Sequence, residues 1–196
     1  MEDKLSLEAF MNDEVHMVEL EDDTIGLFIG IKGVKIHEPR EFIKMLRESL
    51  PDLLLQVVDA RFVAGQKHLE LIIKQSFEAW KRGITYTDRR DMDLIVRLAC
   101  DLQIKDALEK IGIKSGVMDV ALIGIGKRDS IDRFYNLAKR IGNVSDEPLE
   151  LTENKAQFIK EVYHISDDLI RATVGGADKL ALLLAERAAL LLAIGD

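Results

Sequence analysis

The stretch 180–194 constrains the fold of this chain more than any other. Leu180, Leu182, Leu183, Leu184, Leu190, Leu191 and Leu192 are separated mainly by alanines, and Asp178, Lys179, Glu186 and Arg187 are the few polar positions nearby. Wound into a helix, these residues put apolar side chains around most of its circumference, so it has to be covered on more than one side. Either it runs through the centre of the domain, or it lies at the surface and a partner protein covers its outer face, since a large bare apolar patch is a liability in a monomer. The stretch is not a membrane span. Glu186 and Arg187 sit at its middle, and its apolar run falls short of the roughly 20 residues a bilayer requires.

The 196 residues suit one compact domain with a core large enough to need no covalent staples. The single cysteine, Cys100, excludes an internal disulfide, and four scattered histidines give no ligand cluster. No metal or cofactor is therefore expected. The opening Met1-Glu2-Asp3-Lys4 carries no signal-peptide pattern, which predicts a cytoplasmic protein. With 27 Lys+Arg against 35 Asp+Glu the net charge is −8, which argues against a general nucleic-acid binder. The charge is uneven, however. Residues 1–60 are strongly acidic, whereas 61–97 are net basic, and a local basic patch favours a small, specific contact with a polyanion.

Residues 1–23 are acidic and without sustained periodicity, and are expected to form a loose arm ahead of a single domain over 24–196. From Thr24 the pattern alternates through Ile25, Leu27, Ile29 and Ile31, which predicts a strand that bends near Gly33. A helix follows from Pro39 to Leu50, then a short strand over Leu53–Val58. Apolar stripes predict helices after Gly65, after Thr87 or Asp88, and over Ile104–Ile111. Val117–Ile125 is apolar on both faces and reads as a central strand. A further helix begins near Ser130, residues 143–151 read as a surface loop, and helices are expected at 153–163, 166–173 and 177–194. The predicted class is α+β: a mixed sheet with surrounding helices and a helical C-terminal third.

Catalytic motifs are weak. Gly124-Ile125-Gly126-Lys127 follows a strand and precedes a helix, but it has neither the spacing of a P-loop nor the third glycine of a dinucleotide fingerprint. Asp59, His68 and Cys100 could suggest a hydrolytic site, yet no nucleophile signature surrounds Cys100, which sits among Leu98, Ala99 and Leu102. A small nucleotide-binding or hydrolytic enzyme built on Lys127 or Cys100 is the alternative reading. The acid pairs Asp91/Asp93 and Asp167/Asp168 fall in first helical turns, where the helix dipole already accounts for them.

From Asp59-Ala60 through Gly65-Gln66-Lys67-His68-Leu69 the chain resembles the small kinase-binding subunit of the KEOPS complex, called TPRKB in animals and present across archaea. The likeness continues through Asp93-Leu94-Ile95-Val96-Arg97-Leu98-Ala99, Gln103-Ile104 and Gly112-Ile113. It resumes at Tyr163-His164-Ile165-Ser166-Asp167-Asp168-Leu169 and Leu184-Ala185-Glu186-Arg187-Ala188-Ala189-Leu190, while Gly30–Val34 resembles the family's opening strand. The chain departs from the pattern where Asp93 replaces a usual glutamate, Cys100 a glycine and Leu102 an arginine. The resemblance implies a non-catalytic regulatory subunit that docks on a small atypical kinase/ATPase. It implies a complex that makes threonylcarbamoyl-adenosine in tRNAs reading codons that start with A. It further implies a grip on the single-stranded 3′ end of tRNA. Lys67, Arg89, Arg90, Arg97 and Lys105 are the expected phosphate donors, and His68 a stacking platform. The last helix would supply the kinase-docking face through Leu180, Leu183, Leu184, Arg187, Leu190 and Leu191.

Overall fold

The structure is a computed structural model and describes residues 14–194. Strand β1 (His16–Glu19) and the long strand β2 (Thr24–Ile36) open the sheet, followed by helix α1 (Pro39–Ser49) and strand β3 (Leu54–Asp59). Three helices come next: α2 (Gln66–Arg82), α3 (Arg90–Ala99) and α4 (Ile104–Ile111). Strand β4 (Gly116–Lys127), helix α5 (Ile131–Ile141) and the two-residue strand β5 (Asn143–Val144) lead into α6 (Glu153–Val162), α7 (Asp167–Ala172) and α8 (Lys179–Ile194).

The α+β class and the helical C-terminal third are as the sequence predicts. The sheet has the order β1-β2-β4-β3, with β5 pairing β2, and every pairing is antiparallel rather than mixed. The reason lies in the placement of β4. Strands β2 and β3 do run parallel, as a strand–helix–strand connection favours. However, β4 is inserted between them and is antiparallel to both. The acidic segment read as a loose arm contains β1, whose Val18 is buried; four residues are too few for a periodic signal. Met1–Asp13 lie outside the described residues. The segment read as a surface loop likewise holds β5, and Pro148 and Leu149 within it are buried.

Alternation along the strands divides the core in two. Ile25, Leu27, Ile29 and Ile31 of β2, with Leu122 of β4, face α1 and α5, where Leu46, Phe134 and Leu137 meet them. Phe28, Ile123 and Ile125 face the opposite layer of α2, α3, α6 and α8. On that side Gly26 lets α2 approach closely, since a Cβ there would meet Ile73 Cγ2 at 2.5 Å.

The helical layer is organised by one buried carboxylate. Asp93, fully buried on α3, accepts from Trp80 Nε1 of α2 and from Arg97 Nε one helical turn on, both at 2.9 Å, and from the Tyr86 backbone N–H at 2.8 Å. Arg97 lies over the Tyr86 ring at 4.6 Å, and the Tyr86 hydroxyl donates to Ala188 O of α8 at 3.0 Å. Breaking a buried pair strands the other charge, which costs about 3–5 kcal/mol. We therefore expect Arg97→Met to lower stability by about that amount in urea unfolding. Arg90→Ala, which removes an exposed guanidinium stacked 5.7 Å above Trp80, should cost under ~1 kcal/mol. Equal losses would contradict the network.

Candidate binding surface

Helix α8 runs through the interior. Leu180, Leu183, Leu184 and Leu191 are all buried against the chain's own helices. Three donors outside the helix reach its carbonyls: Gln75 Nε2 to Ala185 O (3.0 Å), the Cys100 thiol to Leu184 O (3.3 Å) and the Tyr86 hydroxyl to Ala188 O. Arg187 donates to the carbonyls of Tyr163 and His164 and so ties α8 to the end of α6. Of the six residues expected to form a docking face, four thus serve the core and Arg187 serves a helix junction. Leu190, 48% exposed, is the one large apolar side chain among them that faces outward.

The six expected nucleic-acid contacts do not come together. His68 is completely buried. Its Nδ1 accepts from Ala64 N–H at 3.2 Å, so the neutral ring carries its proton on Nε2, for which the structure gives no partner. Burial, with the nearby Lys155 ammonium, pushes its pKa down to about 3. It cannot stack on a base. Arg97 is sealed against Asp93 and cannot reach a phosphate. Periodicity alone did not separate Arg97 from a surface cation, because it shares α3 with exposed Arg90; the four-residue spacing to Asp93 was the available signal. Lys67 pairs with Glu70 (2.9 Å) at the start of the 17-residue helix α2, whereas Arg89 and Arg90 lie beyond its far end. It lines a different cleft, of about 750 Å³, with His16, Gln66 and Glu150.

Arg89 instead joins residues that the sequence did not single out. A groove of about 550 Å³ is rimmed by Arg40, Arg47, Arg89 and Lys114 and floored by Ile43, Met92, Leu108 and Ile113. A second depression, of about 580 Å³, shares Arg47 and Arg89 and adds Arg90. Arg47 and Arg89 converge on Asp91 at 2.5 and 2.6 Å, so two cations share one anion. Among the described residues Glu109 is the only acid lining the first groove. Lys105 is exposed one helical turn before Leu108 and Glu109. Arg40 and Arg47 lie seven residues apart on α1, hence on one face, a spacing visible in the sequence.

The enzyme-like features do not form a reaction centre. Gly124 and Gly126 lie within β4, paired with Leu27 and Ile25. A Cβ on Gly124 would meet the Phe134 ring at 2.8 Å, so this glycine serves packing. Lys127 Nζ donates to Asp22 O at 2.6 Å. Cys100 caps α3 in the left-handed conformation (φ 49°) that glycine favours, and burial pushes its thiol up to about 12, far from a reactive thiolate. Among the described residues no group of three or more His, Cys, Asp or Glu side chains is gathered for a metal ion, and no helix is long and apolar enough to cross a membrane.

The fold is an antiparallel sheet with a helical layer on each face, the larger of which packs against the apolar helix α8. The family is given by comparison. The profile of the kinase binding protein CGI-121 family matches residues 34–187, and the chain belongs to that family. The regulatory protein Cgi121 of Methanocaldococcus jannaschii is 29% identical over 136 residues, covering 69% of this chain and 82% of that protein.

The buried imidazole yields a pH prediction. The unfolded chain takes up the His68 proton near pH 6.5, whereas the folded chain does so only near 3. More protons are bound by the unfolded state between these values, so this group lowers stability as pH falls through that window. His68→Gln should reduce the loss of unfolding free energy between pH 7 and pH 5 by about 2 kcal/mol. Parallel pH profiles of the two proteins would refute the assignment.

Proposed function

We propose that this chain is a non-catalytic regulatory subunit of a KEOPS-like tRNA-modifying assembly, bound to a small atypical kinase/ATPase. The observation that carries the reading is membership, across 34–187, in a family described by kinase binding. The M. jannaschii relative, a regulatory protein by name, agrees with it.

The same assembly would present tRNA for threonylcarbamoyl-adenosine formation, and the groove between α1, α3 and α4 supports that role. A cationic rim of Arg40, Arg47, Arg89 and Lys114, with Lys105 close by, suits the phosphates of a short single strand. The apolar floor of Ile43, Met92, Leu108 and Ile113 suits unstacked bases. The site is small, which fits a 3′ end better than a duplex.

The test is a salt series of tRNA affinities, with and without the single-stranded 3′ tail. Each phosphate contact to a single strand contributes about −0.7 to the slope of log K against log salt. Arg40→Ala with Lys105→Ala, both exposed and without ion-pair partners among the described residues, should flatten the slope by about 1.4. Removal of the tail should abolish most of the affinity. Indifference to the tail would overturn the recruiting role, and failure of the wild-type chain to bind the purified kinase would overturn the regulatory one.

A further inference from the structure

The groove between α1, α3 and α4 holds one group that a phosphate site does not need. Glu109 is exposed on the last turn of α4 and lines the groove with Arg40, Arg47, Arg89 and Lys114. A bare carboxylate repels a phosphate chain. It also lies at the negative end of the α4 dipole, where a basic residue would be favoured. Neither phosphate binding nor the folding of α4 accounts for it.

The surrounding cations do not consume it either. Lys105 stands four residues earlier on α4, a spacing that permits an ion pair, yet none joins the two among the described residues. The Lys114 ammonium turns to the helix end instead, donating to Glu109 O at 2.8 Å and to Leu108 O at 3.4 Å. Arg47 and Arg89 are drawn to Asp91. Arg40 is exposed and has no ion-pair partner among the described residues. The groove thus presents a free guanidinium and a free carboxylate together.

An ionised carboxylate only accepts hydrogen bonds, so the ligand has to bring a donor to Glu109 and an anion to the cations. Glu109 stands at the exposed rim, whereas unstacked bases suit the apolar floor of Ile43, Met92, Leu108 and Ile113. At the rim a strand presents its sugar–phosphate chain, and the sugar's donors are its hydroxyls. An acidic residue holds a ribose hydroxyl in the same way in dinucleotide-binding folds. An inner RNA nucleotide has one such hydroxyl, but the terminal one has two on adjacent carbons. We propose that Glu109 binds the 2′,3′-cis-diol of a strand's last ribose, so that the groove selects an unmodified 3′ end over a 3′-phosphate. This rests on the single-strand reading of the groove and adds which chemical end the groove takes.

The experiment measures binding of the full chain to three RNA strands with the sequence of the tRNA tail. They end in a free cis-diol, in a 3′-phosphate and in a 2′,3′-dideoxy nucleotide. Wild type should bind the diol end about tenfold more tightly than either of the others. Glu109→Gln keeps the side-chain length and removes the charge. It should bring the diol and phosphate ends to within about threefold of each other, losing on one and gaining on the other. Asp106→Asn makes the same charge change at an exposed position of α4 outside the groove lining, and should keep the wild-type ratio. Because the readout is a ratio within one protein, a general loss of stability does not imitate it. 5′-AMP carries the same diol with a single phosphate and should compete only far more weakly than the strand; equal potency would assign the groove to a free nucleotide and overturn the strand end. Equal binding of the three ends by wild type, or a preference that survives Glu109→Gln, overturns the role of Glu109 and leaves the groove standing. No binding of any strand overturns the groove reading, and this inference with it.

Discussion

The Asp93 carboxylate, cut off from solvent, decides where the helices of this protein can lie. Its two oxygens collect one indole, one guanidinium and one backbone amide, from α2, α3 and the turn between them. A buried ion pair of this kind adds little net stability over a well-packed apolar substitute, but each member becomes costly to lose once the other is in place. Its structural consequence is directional. Tyr86, held at its backbone by Asp93 and at its ring by Arg97, extends its hydroxyl to the backbone of α8. The apolar C-terminal helix is thereby fixed on the domain, with Leu180, Leu183, Leu184 and Leu191 in the core.

That placement determines which surfaces remain for partners. Once the inner leucines of α8 are used, the outward large apolar side chains described in the C-terminal third are few: Leu169, Val174 and Leu190. The cations collect elsewhere, where α1, the start of α3 and the end of α4 meet. The chain's excess of acids lies outside that groove. A net negative body discourages indiscriminate capture of polyanions, and under the proposed function only this groove would admit one.

Much of this was readable in the residues before the structure. Ile25, Leu27, Ile29 and Ile31 announced β2, and the doubly apolar run around Ile123 announced a central strand. The helix ends fell at the glycines and prolines that mark them. What escaped had physical reasons. β1 is too short to show a period, and the sheet was expected to be mixed because a sequence does not reveal that β4 lies between β2 and β3. His68 and Arg97 looked like surface groups, since residue type says nothing about which helical face turns inward. A helix apolar all round fits both a buried and a partner-covered setting, and only the donors from Gln75, Cys100 and Tyr86 decide between them. The groove was missed because Arg40, Arg47, Arg89 and Lys114 come from three separate segments.

The claim that this protein acts by attachment, on an unchanged body, is open to a direct test. Hydrogen–deuterium exchange of the full chain should be followed alone and with the purified kinase. The account predicts that exchange slows in a surface segment on complex formation, while amides around Asp93 and along β2 and β4 stay as they were. A complex in which the amides around Asp93 or along β2 and β4 change their protection would contradict it.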